Sequence, residues 1–110
     1  MTHETTARMN HRSSYNCSEA VTAAFASDLH LSPIIASKAA PKHRSAGGKC
    51  GAFLAGLQVL NELKPEAMGV FRERFEAENG STDCSKLRNA GIPCNDLVGS
   101  AARLIEELTI

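Results

Sequence analysis

The sequence has no tryptophan, one tyrosine and four phenylalanines, so few rings are present to stack on nucleobases. It also has no excess of either charge, because 12 Lys and Arg residues balance 12 Asp and Glu residues. Proteins that bind nucleic acid or an anionic membrane through their overall charge are typically basic. We therefore expect no nucleic-acid partner. The length of 110 residues suits one domain.

Long apolar runs are also missing. No stretch is long enough to span a bilayer, and the polar segment 1–14 has no apolar core of the kind found in secretory signals. We therefore expect a soluble, cytoplasmic protein with no insertion into membranes. In a reducing cytosol, four cysteines are more typical of metal or redox chemistry than of structural disulfides.

Several catalytic motifs are missing as well. The cysteines form no CxxC pair and no CxxCH haem-attachment motif, and the chain has no GxxxxGK[ST] phosphate-binding loop. Ser45 and Ser81 have no visible base partner for nucleophilic catalysis. We assign no catalytic residue, and we expect an electron-transfer or redox accessory protein rather than a stand-alone enzyme.

The apolar residues that are present recur at helical spacing, without the alternation of strands. Asn16 and Glu19 form a capping-box pattern that predicts a helix through Leu29. Further helices are predicted from Pro33, from Cys50 to about Lys64, from Pro65 to Asn79 and from Cys94 to Leu108, with a short helical turn from Cys84. The predicted fold is all-α, a compact bundle of about five helices. It forms one domain over residues 14–110, preceded over residues 1–13 by a polar arm that is either frayed or a short helical extension.

All four cysteines lie in the first turn of a predicted helix: Cys17, Cys50, Cys84 and Cys94. A helix N-terminus presents unpaired N–H groups and the positive end of the helix dipole. Such a position lowers the pKa of a thiol and favours the thiolate. We therefore predict that the four cysteines converge on one site, with Cys50 at its centre.

Small residues surround Cys50 in the stretch from Gly47 to Gly56. Gly51 and Gly56 each cost about 1 kcal/mol of helix stability relative to alanine, which suggests that another backbone approaches closely here. The same small-residue face would allow two copies of the chain to form a homodimer. The basic residues just before Cys50, from Lys42 to Lys49, could hold an anion, although a solvated loop is the expected role.

Thiolates gathered in this way have three uses. The first is an iron–sulfur cluster, whose usual ligands are four cysteines. The second is dithiol–disulfide redox chemistry or sulfur transfer. The third is a Cys₄ zinc site in an interaction module, which ranks lower because the close ligand pairs typical of zinc sites are missing. The alternative to all three is that these are ordinary buried cysteines. The residues alone favour the cluster and the dithiol equally.

With these residues in view, the chain resembles the C_GCAxxG_C_C family of redox-active proteins. The family's second cysteine lies in a Cys-Gly-Ala-x-x-Gly motif, which here is similar to Cys50-Gly51-Ala52-Phe53-Leu54-Ala55-Gly56. The segments around Cys17, Cys84 and Cys94 resemble the family's other three cysteine segments, so the resemblance covers roughly residues 14–108. One departure is that the closing glycine of the motif falls on Ala55, with Gly56 one place later.

The resemblance implies a redox role and a redox partner protein, without defining a reaction. The family is similar to the cluster-bearing part of split-Soret cytochromes. The resemblance therefore favours an iron–sulfur cluster as cofactor, held by Cys17, Cys50, Cys84 and Cys94 as metal ligands, over a cofactor-free disulfide or zinc.

Overall fold

The structure, a computed structural model, describes residues 2–41 and 48–109. These residues form seven α-helices and no named strand: α1 (His3–Ser13), α2 (Cys17–Ala24), α3 (Pro33–Lys38), α4 (Gly51–Leu63), α5 (Met68–Asn79), α6 (Cys84–Asn89) and α7 (Cys94–Thr109). A short 3₁₀-helix, Pro65–Ala67, precedes α5. The all-α prediction is confirmed. The count is higher than the predicted five because residues 3–13 and 84–89 are also helical.

The longest helix, α7, forms the centre of the fold and packs against α1, α2, α4 and α5. Its buried side chains Val98, Leu104 and Ile105 lie on one face, at the helical spacing that the sequence showed. Among the described residues, no helix is long and apolar enough to cross a membrane.

Three phenylalanines join α4 to α5 in the core. The ring of Phe53 lies 5.8 Å from that of Phe71 and 5.4 Å from that of Phe75, measured between centroids. Gly56 lies directly under this cluster, because a Cβ added at Gly56 would come 2.2 Å from Cζ of Phe71. The close approach that the small residues predicted therefore occurs at Gly56, and its partner is an aromatic ring rather than a backbone.

The small residues around Cys50 are used inside the chain. Gly51, Ala52, Ala55 and Gly56 are all buried in α4. The face that was expected to allow pairing between two copies is therefore covered by the chain's own core. A homodimer stays a prediction, and it would need another surface.

The helix starts agree with the predicted caps. The Asn16 side chain accepts a hydrogen bond from the Glu19 N–H, and the Glu19 carboxylate accepts one from the Asn16 N–H. Ser32 caps α3 ahead of Pro33. The predicted end of α2 at Leu29 is wrong. The N–H groups of Phe25, Ala26 and His30 bond carbonyls three residues back, so the chain tightens into turns after Ala24. The Phe25 ring is buried in the core.

The N-terminal segment is a packed helix, which matches the helical extension of the two alternatives rather than the frayed arm. Thr2 caps α1 by accepting from the Thr5 N–H, and Ala7 is fully buried. The division into an arm 1–13 and a domain 14–110 stays a prediction.

The side chain of His3 links the start of α1 to Phe25, Asp28 and Glu106. Its ring stacks on Phe25 at 4.2 Å between centroids. Its Nδ1 lies 2.6 Å from Oε1 of Glu106, and its Nε2 lies 2.7 Å from Oδ2 of Asp28. Burial lowers the pKa of His3, but the two carboxylates outweigh it and raise the pKa above 6.5. The same contact lowers the pKa of Glu106 through the hydrogen bond from His3.

Candidate functional site

The four cysteines all lie at helix starts, as predicted. Cys17, Cys84 and Cys94 are the first residues of α2, α6 and α7. Cys50 immediately precedes the first residue of α4. All four thiols are free, so the structure contains no disulfide between them.

A short antiparallel bridge between Lys49 and Asp83 brings the start of α4 beside the start of α6. The Cys50 N–H donates to the Thr82 carbonyl at 2.8 Å. The Lys49 ammonium donates to Oγ1 of Thr82 at 3.0 Å and to Oδ1 of Asp83 at 2.8 Å. These four contacts, which we call the Lys49–Asp83 clip, place Cys50 and Cys84 at adjacent helix starts.

The clip also engages the charges of Lys49 and Asp83. Lys49 is occupied by Thr82 and Asp83, so it is not available as part of an anion site, and the rest of that basic segment, residues 42–47, lies outside the described residues. Asp83 precedes α6 but makes no side-chain capping bond. Its carboxylate pairs with Lys49 and Lys86 instead, and the hydrogen bond from Lys49 lowers its pKa.

Cys17 lies within electrostatic reach of all three other cysteines. Burial, which contributes most, and the nearby Cys94, Cys50 and Cys84 together raise the pKa of Cys17 to about 12, with Cys94 acting through both its charge and hydrogen bonding. Charges act on one another in this way only at short range in a protein. These effects place the other three cysteines in the neighbourhood of Cys17. Convergence of all four on one site, with Cys50 at its centre, stays a prediction.

The expectation of a lowered thiol pKa is wrong at both Cys17 and Cys50. Burial raises the pKa of Cys50. The N–H groups of Phe53 and Ala52, at the start of α4, do lower it, as the helix-terminus argument requires. The cost of removing a charged sulfur from water is larger than that gain, so without a bound cation both thiols favour the protonated form.

Among the four cysteines, Cys94 is the most exposed. Cys17, Cys50 and Cys84 are 5%, 3% and 8% exposed, whereas Cys94 is partly exposed. In the part of the chain that the structure describes, a reagent therefore reaches a cysteine most easily at the start of α7.

The chemistry of the donor set fits a soft metal centre. Four thiolates are the usual ligands of iron–sulfur clusters, and a bound cation would offset the mutual repulsion that raises the pKa of Cys17. Within residues 2–41 and 48–109, however, no three His, Cys, Asp or Glu side chains form a group that could hold a metal ion. Metal ligation by these cysteines stays a prediction.

One residue at this site was missed by the sequence analysis. The Nε2 atom of His11, in α1, lies 3.7 Å from Sγ of Cys17. The sequence placed His11 in a polar arm. Its position four residues after the buried Ala7 is the signal that could have found it, because residues at that spacing share one helix face.

Comparison with known proteins identifies this arrangement of cysteines. Residues 15–108 match the family described as "Putative redox-active protein (C_GCAxxG_C_C)". The chain belongs to the C_GCAxxG_C_C family. Neither the curated proteins nor the solved structures gave a match. The residues matched to the C_GCAxxG_C_C family include all four cysteines and begin after α1, so His11 lies outside the matched segment.

Proposed function

We propose that this member of the C_GCAxxG_C_C family is an electron-transfer or redox-sensing protein whose four cysteines form one centre for an iron–sulfur cluster. The observation that carries the proposal is that the segment matched to the family holds all four cysteines, each at a helix start, with the starts of α4 and α6 joined by the Lys49–Asp83 clip. Three buried cysteines and a partly exposed fourth supply the usual ligands of such a cluster, and a bound cation favours their thiolate form.

Cys17, Cys50, Cys84 and Cys94 would hold the cluster, which supplies a group that accepts and returns single electrons. The protein contributes the positions of the ligands. The Lys49–Asp83 clip holds two of the four helix starts together. Burial of three cysteines excludes water. The partly exposed Cys94 is where a redox partner protein would dock.

A second candidate is thiol–disulfide chemistry between Cys17 and Cys94. The observation in its favour is that Cys94 makes the largest contribution to the raised pKa of Cys17 after burial and is also the accessible thiol. In this reaction, two thiols lose two protons and two electrons to an external disulfide, which becomes a dithiol, and a Cys17–Cys94 bond forms. No metal takes part.

Anaerobic purification followed by iron, sulfide and zinc analysis and a visible spectrum separates these candidates. We expect iron, sulfide and a coloured protein. All three should be lost in Cys50→Ser, while the far-ultraviolet circular dichroism stays helical. The matched control is His30→Asn, an exposed position with φ of 60° that asparagine tolerates. A colourless, iron-free protein that forms a Cys17–Cys94 disulfide on mild oxidation would support the second candidate, and zinc without sulfide would support a zinc-stabilised module.

A further inference from the structure

The contacts of His11 fix which of its ring nitrogens carries a proton. The Asn95 amide nitrogen lies 3.2 Å from Nδ1 of His11. An amide nitrogen is a donor, so Nδ1 accepts and the proton of the neutral ring resides on Nε2. That Nε2–H points to the sulfur of Cys17, 3.7 Å away.

The Asn95 amide is itself held in one orientation by Arg8. Its oxygen accepts from Nη1 of Arg8 at 3.1 Å, and its nitrogen donates to the Arg8 carbonyl at 3.2 Å. A flipped amide would set donor against donor and acceptor against acceptor at these two contacts. Arg8 therefore determines the amide orientation, and the amide determines the tautomer of His11.

Arg8 depends in turn on a glycine in α7. A Cβ added at Gly99 would come 2.3 Å from three atoms of the Arg8 guanidinium group. The guanidinium also pairs with Glu4 at 3.2 Å and with Asp96 at 3.1 Å. The absence of a side chain at Gly99 is what lets Arg8 lie flat across α7 and reach Asn95.

We propose that His11 is a positioning residue of the redox site, which donates a hydrogen bond to the Cys17 sulfur and thereby raises the reduction potential of the site. A donor favours the state that places more negative charge on the sulfur, and that is the reduced state. The inference rests on the proposed redox function but not on which form it takes. In the cluster form, one electron enters from a reduced partner protein and no bond to the protein breaks. In the dithiol form, the Cys17–Cys94 disulfide takes two electrons and two protons from an external dithiol, which becomes a disulfide.

The first test measures the tautomer of His11 in the wild-type protein as purified, by correlating the ring ¹⁵N and ¹H signals. We expect protonation at Nε2. Gly99→Ala changes no side chain of the site itself, but its Cβ displaces the Arg8 guanidinium. In this variant we therefore expect a mixture of His11 tautomers without a fall in melting temperature. Protonation at Nδ1 in the wild type would overturn the proposal.

The second test measures the reduction potential of the wild-type protein and of His11→Phe, His11→Gln and the control His30→Asn. We expect His11→Phe to disfavour the reduced state about tenfold, which is a fall of about 30 mV for a two-electron couple or about 59 mV for a one-electron couple. His11→Gln keeps an N–H donor and should recover most of that change, and Gly99→Ala should shift the potential in the same direction as His11→Phe.

Different results would overturn the redox function and the role of His11. A wild-type protein with no measurable redox couple overturns the proposed function and the redox role of His11 together. A wild-type couple whose potential is unchanged in His11→Phe overturns the role of His11 alone. An unchanged potential and tautomer in Gly99→Ala overturn the part assigned to Arg8.

Discussion

The packing of Gly56 against Phe71 predicts that a side chain added at position 56 destabilises the fold. In Gly56→Ala the new Cβ would lie 2.2 Å from Cζ of Phe71 and 2.7 Å from Cε2, well inside contact distance, and the fully buried ring has Phe53 and Phe75 on its other sides. Overpacking of a core typically lowers the free energy of unfolding by about 1–3 kcal/mol. Because the Phe71 ring would have to move far, we expect a cost near the upper end of this range. Alanine has a higher helix propensity than glycine, which stabilises the variant by about 1 kcal/mol. We expect a net loss of about 2 kcal/mol in the free energy of unfolding, or about 8 °C in Tm.

Urea denaturation followed by circular dichroism measures this change. Gly69→Ala is the matched control, because a Cβ there meets nothing within 4 Å, so this variant should gain up to about 1 kcal/mol. In a Phe71→Leu background, removal of the ring should cancel at least about 0.5 kcal/mol of the Gly56→Ala cost. Equal or greater stability of Gly56→Ala than of the wild type would refute the packing argument.

Three further predictions concern α1, α2 and the site. The pKa of His3 is higher in the folded protein than in the unfolded chain, where it is about 6.5. The pairs of His3 with Glu106 and Asp28 therefore stabilise the fold fully below pH 6.5, and this stabilisation is lost as the pH rises through the pKa of the folded state. His3→Phe, which keeps a ring at this position, should remove this fall in stability above pH 6.5 in urea titrations, and an unchanged pH profile would contradict the assignment. Asn16→Ala should cost about 1 kcal/mol through loss of the capping box, as measured by urea denaturation. Alkylation of the metal-free protein with iodoacetamide, mapped by mass spectrometry, should modify Cys94 before the other three cysteines, and faster labelling of a buried cysteine would contradict this order of exposure.

Local features of the fold could be predicted from the sequence because their signals lie within a few residues. The capping box at Asn16 and the Ser32-Pro33 start specify helix N-termini by side chains three residues apart. The position of each cysteine at a helix start follows from the same local signals. The end of α2 was predicted too late because Phe25 continues the apolar periodicity, and its ring is buried although the chain turns after Ala24.

Pairings between distant segments could not be predicted in the same way. The contact between His11 and Asn95 joins residues 84 apart in the chain, and nothing near either residue indicates the other. The direction of the thiol pKa shifts was missed for a related reason. The helix terminus at Cys50 is visible in the sequence, but the burial that outweighs it is a property of the assembled fold.

The Lys49–Asp83 clip has a consequence for the order in which this protein matures. It joins segments 34 residues apart, and closing a loop of that length has an entropic cost that only the folded core offsets. The unfolded chain therefore carries four cysteines that are scattered along its length, with no preformed cluster of sulfurs to capture a metal or to oxidise selectively. Cofactor loading or disulfide formation should follow folding, so refolding yields should be highest when reductant is present first and the metal or oxidant is added afterwards.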